Sequence, residues 1–310
     1  MPGQHCRRRR GATRCVRSAN DVGPVCGRLD QGRIHFQHGP IDLVIFALGE
    51  SAVIEEAHAK AWARFGQILP ELVAELPDLR QAIDPRVQCG MVGPVARRMW
   101  SACRPFARDF ITPMAAVAGS VSDEIVDFYR TAGVRRAAIN NGGDIALHLE
   151  AGERMRIAVV PDISDPHAAH DPGKRLHLNI DAANPVRGVA TSGWPGRSFS
   201  LGIADSVTIL ALTAAQADAA ATAVANAVNV DHPLVVRRPA RELQPDSDLG
   251  DRLVTVAVPA LPETVVHDAL DAGEAKAREL LDANLIAAAV LVCQGRVRMV
   301  GRSAFILQPP

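Results

Sequence analysis

The sequence predicts an α+β fold in which mixed or antiparallel sheets pack with helices. Short β-branched segments follow one another in runs between helical stretches, whereas a parallel sheet needs strands and helices in strict alternation. The order of helices and then strands occurs twice along the 310 residues, which permits a body of two lobes. Because 48% of the residues are hydrophobic but only 4% are aromatic, the core has to be built from small and branched aliphatic side chains.

Residues 1–33 are predicted to form a basic, disordered leader, and residues 34–310 a single domain. The leader contains eight arginines and two aspartates, a net charge of +6, while the remaining 277 residues carry a net charge of −6. It lacks the apolar core of about 7–15 residues that a signal peptide has. The alternative is that this segment tethers the chain to nucleic acid or to an anionic surface.

The predicted helices follow from apolar residues at helical spacing. Two consecutive helices are expected over residues 50–80, with breaks at Pro70 and Pro77. A further helix covers residues 92–106, and another begins at Thr112, a residue type that caps helices, followed by a proline suited to the first turn. Later helices are predicted over residues 214–228, which are rich in alanine, and 262–283.

The predicted strands are short aliphatic or β-branched segments that are bounded by turn residues. They cover residues 41–46, 134–140, 145–149, 155–160, 176–180, 186–191, 206–212, 253–258 and 285–292, and a closing hairpin turns at Gln294-Gly295. Residues 162–174, rich in proline and histidine, are predicted to be a long loop, and residues 239–251 a second break.

Charge and composition exclude several classes of function. Balanced charge and few aromatic residues argue against a nucleic-acid partner, and no stretch of about 18 apolar residues exists that could span a membrane. The six cysteines form no CxxC pair, and His167 and His170 are better explained by a surface loop than by a metal site. The sequence therefore predicts a cytoplasmic protein with a small-molecule ligand, either as a monomer or as a homo-oligomer.

The first candidate for chemistry is the stretch Asn140-Asn141-Gly142-Gly143-Asp144 between two predicted strands. Consecutive glycines allow positive φ and close backbone approach, and their N–H groups can hold a phosphate. A type I′ hairpin turn is the alternative, since Asn-Gly and Gly-Gly are favoured there.

The second candidate is a predicted strand end with Thr191, Ser192, Gly193 and Arg197. Two hydroxyls, free amides and a guanidinium suit an oxyanion or phosphate, and a plain surface turn is the alternative. Ser192 is not predicted to be a nucleophile, because the G-x-S-x-G pattern is missing.

The third candidate is the pair Asp218 and Thr222 on the alanine-rich helix. Positions i and i+4 share one helix face, so that a carboxylate and a hydroxyl can act together on a hard cation such as Mg²⁺. The alternative is that Asp218 lies on the solvated face of the helix.

Taken together, these segments resemble the ApbE-like superfamily, which includes Mg²⁺-dependent FAD:protein FMN transferases, and they are most similar to its UPF0280 branch. The resemblance covers residues 34–300. It is carried by FQHGPIDLV (36–44), ITPMAAVAG (111–119), NNGGDIA (140–146), GVATSG (188–193), SVTI (206–209) and ADAAAT (217–222).

The resemblance implies a role for each of these segments. It assigns Asp218, Thr222 and the backbone carbonyl of Val117 to Mg²⁺. It assigns the glycine turn and the strand end to the flavin-nucleotide pocket, through Gly142, Gly143, Asp144, Thr191, Ser192 and Gly193. The polar residues Asn141 and Arg197 of the same two segments complete the predicted cofactor-binding set.

Two departures from the transferases accompany the resemblance. Ala118 stands where the transferases have a lysine, and residues 196–205 contain neither the histidine nor the Asp-Pro of their catalytic segment. Asp205 is the remaining candidate for an acidic catalytic role. Few rings are available to stack on a flavin, and Trp194, Trp100 and Tyr129 are the candidates.

The sequence therefore predicts an ApbE-like protein, with altered catalytic residues, that binds FAD, FMN or a related nucleotide pyrophosphate together with Mg²⁺. One alternative is an enzyme that acts on another small anionic or heterocyclic metabolite in the same pocket. The other is a non-catalytic ligand-binding or assembly protein, in which the alanine-rich helix packs subunits together.

Overall fold

A nine-stranded antiparallel sheet forms the centre of the molecule in the computed structural model, which describes residues 23–159, 176–301 and 306–307. Its strand order is β1-β2-β3-β4-β5-β8-β9-β12-β13. These strands are β1 (Val25–Arg28), β2 (Ile34–His38), β3 (Ile41–Gly49), β4 (Val134–Asn141), β5 (Asp144–Leu149), β8 (Gly188–Ser192), β9 (Ser206–Ala211), β12 (Ala288–Cys293) and β13 (Arg296–Gly301). Both halves of the chain share this sheet.

Two smaller antiparallel sheets complete the strands. The first contains β14 (Ile306–Leu307), β7 (Leu176–Asp181) and β6 (Arg154–Val159), and the second contains β10 (Val236–Pro239) and β11 (Leu253–Ala257). All the strand pairs of the described residues are antiparallel, which confirms the predicted α+β class.

The helices lie on one face of the large sheet and the three-stranded sheet lies on the other. The helices are α1 (Ser51–Ala74), α2 (Leu76–Leu79), α3 (Pro94–Cys103), α4 (Val117–Val126), α5 (Ala214–Ala227), α6 (Ala240–Leu243) and α7 (Glu263–Asp282). Helices α1, α3 and α4 pack on β2 to β4, while α5 and α7 pack on β8, β9 and β12. Strands β9 and β12 are therefore buried along their whole length. No helix in the described ranges has both the length and the apolarity needed to cross a membrane.

The predicted break at Pro70 is wrong, because α1 continues through it to Ala74. The buried face of α1 extends across the proline, with Phe65 and Ile68 before it and Leu72 after it. Packing of this face outweighs the hydrogen bond that the proline removes. The break expected near Pro77 is present but lies at Glu75, since α2 begins at Leu76 with Pro77 in its first turn.

The boundary predicted at residue 33 differs from the structure, because Val25–Arg28 forms strand β1 within the segment that was predicted to be disordered. This strand pairs with β2, and Arg28 forms an ion pair of 2.8 Å with Glu55 of α1. Residues 1–22 of the predicted leader and the predicted loop with His167 and His170 lie outside the described residues.

The start of α5 is fixed by a buried carboxylate from α4. Asp123 accepts hydrogen bonds from the backbone N–H groups of Ala214 (3.0 Å) and Ala215 (2.9 Å). Gly119 allows the two helices to approach, since a Cβ atom at this position would lie 2.3 Å from the carbonyl oxygen of Ala214. Helices α4 and α5 are thereby locked side by side, and together they form one wall of the cleft described next.

Candidate functional site

One cleft of about 340 Å³ gathers most of the residues that the sequence singles out. It is enclosed by the start of α4, the β4–β5 turn, the end of β8, α5, and a polar segment between α6 and β11. The predicted residues that line it are Val117, Gly142, Asp144, Thr191, Ser192, Gly193, Arg197, Asp218 and Thr222. Four segments that lie far apart in the sequence thus meet at one place.

The β4–β5 turn is a two-residue hairpin that also faces the cleft. Asn141 and Asp144 form its last residue pair, and Gly142 (φ 65°) and Gly143 (φ 118°) have the positive φ that a type I′ turn requires. The turn is therefore a hairpin turn and also faces the cleft, so the two interpretations of this segment do not exclude each other.

Two residues of this turn support the site without lining it. Asn141 is buried, and its side-chain amide donates to the carbonyl of Ala118 at 3.2 Å. The N–H of Gly143 donates to the side-chain oxygen of Asn140 at 2.8 Å. The turn is thereby fixed, and its end is tied to α4.

Arg197 lies directly against Gly142. A Cβ atom at Gly142 would be 1.8 Å from an Nη atom of Arg197, so that only glycine fits both this contact and the positive φ. The guanidinium thus stands at the cleft beside the carboxyl group of Asp144, whose pKa it lowers in part. The Arg197 guanidinium and the glycine turn are therefore in direct contact.

The floor of the cleft contains two carboxyl groups that interact. Burial raises the pKa of Asp144 to about 7, although the N–H of Thr191, which donates to its Oδ1 at 3.2 Å, and the charge of Arg197 favour the ionised form. Burial and the charge of Asp144 raise the pKa of Asp218 well above its ordinary value. The N–H of Gly119 donates to Asp218 Oδ2 at 2.9 Å. Two buried acids that disfavour each other's charge are stabilised by a cation between them.

The donors around this pair fit Mg²⁺. Asp218 and Thr222 line the cleft from one face of α5, and Val117 lines it from the start of α4. Carboxylate, hydroxyl and backbone carbonyl oxygens are the ligands that Mg²⁺ takes, with water and phosphate completing its shell. No group of three His, Cys, Asp or Glu suited to a metal occurs among the described residues, so a cation here depends on those additional oxygens.

Helix α5 continues this polar row by one more turn with Asn226, which the sequence analysis missed. Its side-chain oxygen accepts from the N–H of Leu201 at 2.9 Å and from the Ser200 hydroxyl at 3.3 Å. Asn226 thereby holds the segment that contains Ser200 and Leu201 against α5. The signal was present in the sequence, since Asn226 follows Thr222 by four residues.

The end of β8 is held against β9. The hydroxyls of Thr191 and Thr208 are 2.9 Å apart, and a Cβ atom at Gly193 would lie 2.3 Å from the carbonyl oxygen of Asp205. Thr191, Ser192 and Gly193 all line the cleft, so the alternative of a plain surface turn does not describe this strand end.

Asp205 does not line the cleft. Its Oδ2 accepts a hydrogen bond of 2.5 Å from the backbone N–H of Gln294, a residue with φ 45° in the turn between β12 and β13. The side chain therefore stabilises a hairpin turn. Asp205 remains a catalytic candidate only by its position in the sequence.

The cleft lining differs from the prediction in its rings and in one wall. Trp100, Tyr129 and Trp194 do not line it, and its aromatic residues are Phe110 and Phe199. Tyr129 is instead buried, with its hydroxyl 2.7 Å from Nδ1 of His58.

The wall that the prediction missed is the polar segment Gln244–Leu249, together with Arg80 and Thr112. This segment has no apolar periodicity that would have marked it. Ala118 also lines the cleft, and none of the described histidines does.

The fold and the cleft define an antiparallel α+β protein with one acidic cleft whose donor atoms suit a hard cation. Residues 26–299 match the family model described as "AbpE bacteria", and the chain belongs to this family. The predicted ApbE-like membership is thus confirmed.

The curated relatives are UPF0280 proteins. The protein of Methanothrix thermoacetophila is 37% identical over 142 residues, which are 46% of this chain and 55% of the relative. That of Archaeoglobus fulgidus is 26% identical over 196 residues, 63% of this chain and 75% of the relative. The chain spans about half the length of the first of these relatives.

Solved structures with similarity to the chain are flavin transferases. The apo form of flavinyl transferase ApbE from Pseudomonas stutzeri has 14% identity and a TM-score of 0.39, with coverage of 92% of this chain and 97% of that chain. A mutant of flavin transferase ApbE from Vibrio cholerae has 14% identity and a TM-score of 0.44, with coverage of 91% and 97%.

Proposed function

We propose that this protein binds a flavin or a related nucleotide pyrophosphate in the cleft, with Mg²⁺ held by Asp218, Thr222 and the carbonyl of Val117. The observation that carries the proposal is the Asp144/Asp218 pair, which faces the same cleft as Arg197 and the glycine turn. An acidic floor repels a phosphate, so an anionic ligand needs a cation between itself and the carboxylates.

Each group of the cleft has a distinct task in this proposal. Asp218 and Thr222 hold Mg²⁺, which neutralises phosphate charge when it is bound. Asp144 adds negative charge beside the cation, and Arg197 supplies two parallel N–H donors to a phosphate. Thr191, Ser192 and Gly193 offer hydroxyl and amide donors to the remaining oxygens.

If the carboxylate pair binds Mg²⁺, binding of the nucleotide should depend on this cation. Calorimetric titration of FAD and of FMN into the purified protein should give heat that depends on Mg²⁺. Asp218→Ala should abolish the Mg²⁺-dependent part, because it removes the carboxylate that binds the cation. Asp268→Ala, an exposed aspartate of α7 outside the cleft, is the control and should behave as the wild type. Absence of any heat at millimolar ligand, or an unchanged Asp218→Ala variant, contradicts the proposal.

A second candidate function is supported by the groups that the cleft lacks. The resemblance places Ala118 at the position of the lysine of the transferases, and no described histidine lines the cleft. These changes favour a different reaction on a small anionic or heterocyclic metabolite in the same cleft. Covalent transfer of FMN to an acceptor protein, followed by mass spectrometry, distinguishes the two, since incorporation of flavin contradicts this second candidate.

The assembly function expected for the alanine-rich helix has less support. The alanines of α5 are buried within the chain, where they pack against β8, β9 and α7. The helix face that was expected to hold subunits together is therefore occupied by this chain itself.

A further inference from the structure

The wall formed by Gln244–Leu249 carries a carboxylate that the proposed function does not yet use. This segment lies between α6 and β11, and Asp246 and Asp248 from it line the cleft. Their surroundings differ, and the difference bears on what the cleft recognises.

Asp248 is held by a buried hydroxyl. Thr112, only 2% exposed, donates to Asp248 Oδ2 at 2.5 Å. Asp246 instead forms an ion pair of 2.8 Å with Arg80. Among the ion pairs of the described residues, none involves Asp248, and its Oδ1 receives no described hydrogen bond. Asp248 therefore contributes to the cleft wall a carboxylate that is held through one oxygen and has no ion-pair partner among the described residues.

Asp248 reaches the cleft from a different wall than the proposed Mg²⁺ ligands. It lies in the loop between α6 and β11, whereas Asp218 and Thr222 lie on α5 and Val117 lies at the start of α4. We refer to the wall with Asp248 as the acceptor region of the cleft.

The Asp248 carboxylate can accept hydrogen bonds from a ligand that carries O–H or N–H donors. Phe110 also lines the cleft, and the guanidinium carbon of Arg252 lies 3.2 Å from its ring centre. A carboxylate that keeps one oxygen free pairs well with hydroxyl groups, and acidic side chains bind ribose hydroxyls in dinucleotide sites for this reason.

We propose that Asp248 binds hydroxyl groups of the ligand and thereby selects a ligand that carries a polyol next to its phosphate, with Thr112 as the residue that positions the carboxylate. This inference rests on the proposed function, because it assigns the second region of the same cleft. A ribose and a ribityl chain share this chemistry, and the experiment separates them.

The test compares ligands with and without hydroxyl groups in the presence of Mg²⁺. ADP is paired with 2′,3′-dideoxy-ADP for the ribose, and FMN with an analogue whose ribityl chain is a hydroxyl-free alkyl phosphate. Dissociation constants are measured by calorimetry for the wild type, Asp248→Asn and Thr112→Val. Asp251→Asn is the control, since this aspartate of the same loop pairs with Arg241 at 2.6 Å and does not line the cleft.

In one of the two ligand pairs, Asp248→Asn should raise the dissociation constant of the hydroxylated ligand by about tenfold or more. The dissociation constant of its hydroxyl-free partner should not change. That pair identifies the source of the hydroxyls. Thr112→Val should give a smaller loss in the same pair, and Asp251→Asn none. Thr112→Val also keeps the test decisive if Asp248→Asn does not fold.

Three outcomes overturn the inference, and they can be told apart. If wild type binds none of the four ligands, the proposed function fails and this inference fails with it. If wild type binds but Asp248→Asn weakens both members of each pair equally, Asp248 acts on the fold and not on hydroxyls. If wild type binds and Asp248→Asn changes neither pair, Asp248 does not contact the ligand.

Discussion

The Asp144 carboxyl group connects the proposed metal site to the stability of the folded protein. Burial raises its pKa from an ordinary 3.8 to about 7, whereas in the unfolded chain the group ionises near its ordinary value. Between these two pH values the folded protein holds more protons than the unfolded protein. The contribution of Asp144 to stability is thus complete below the lower value and is lost as the pH rises towards the upper one.

The loss of this contribution with rising pH can be measured. The free energy of unfolding of the metal-free wild type, measured with urea from about pH 4.5 to 8, should fall with pH more steeply than that of Asp144→Asn. MgCl₂ should stabilise the wild type more at pH 8 than at pH 5, since the cation competes with protons for the carboxylates. Parallel pH profiles for the two proteins would contradict the raised pKa of Asp144.

Two constraints favour glycine at position 142, whereas only one of them applies to the neighbouring Gly143. Both have positive φ, so alanine at either position should cost about 1–2 kcal/mol of unfolding free energy. Only at Gly142 would the new methyl group also collide with Arg197, since no atom lies within 4 Å of a Cβ at Gly143.

Gly142→Ala should therefore weaken FAD binding much more than Gly143→Ala, although both variants lose similar stability. Urea denaturation gives the stability of each variant, and calorimetry with Mg²⁺ gives its affinity. Equal losses of affinity in the two variants would show that the contact with Arg197 does not matter for the ligand.

The position of helix α5 depends on one carboxylate of helix α4, that of Asp123. Asp123 satisfies the two N–H groups of Ala214 and Ala215 in a buried place, while the Thr213 hydroxyl caps the N–H of Gln216 at 3.2 Å. Helix α5 carries Asp218 and Thr222, so its start sets the geometry of the site.

Asp123→Ala should destabilise the protein by on the order of 3 kcal/mol, because it leaves two buried donors without a partner. Thr213→Ala is the matched control at the same helix end and should cost about 1 kcal/mol. Thermal and urea unfolding measure both. A loss in Asp123→Ala no larger than in Thr213→Ala would mean that water replaces the carboxylate.

Most elements and the deep part of the candidate site could be predicted, since each rests on a local pattern. Strand β1 and the passage of α1 through Pro70 could not. Strand alternation, glycine turns and the i, i+4 spacing of Asp218 and Thr222 are visible within a few residues. The wall with Asp248 could not be predicted, because Asp248 meets Thr112 across 136 positions and Asp246 meets Arg80 across 166. Such contacts leave no periodicity in a polar loop.

The edge strand β1 of the large sheet lies within the segment that was predicted to be a leader. Strand β1 pairs with β2 over four residues and contacts α1 through Arg28 and Glu55. Pro24 also packs near α1, since a Cβ at Gly66 would lie 3.6 Å from its ring. We therefore expect the folded domain to begin before residue 24 and not at residue 34.

Two truncations test this boundary. Removal of residues 1–22 should leave the unfolding free energy and FAD binding unchanged, because none of the described contacts of β1 depends on these residues. Removal of residues 1–33 should cost about 1–3 kcal/mol, since it takes away β1 and exposes β2 as the new edge of the sheet. Its effect on the cleft should be small, because β1 lies at the far end of the strand order from β8 and β9.

Urea unfolding and calorimetry of both truncated chains give the answer. If the shorter truncation destabilises the protein as much as the longer one, residues 1–22 belong to the folded domain, and the prediction of a dispensable leader is wrong.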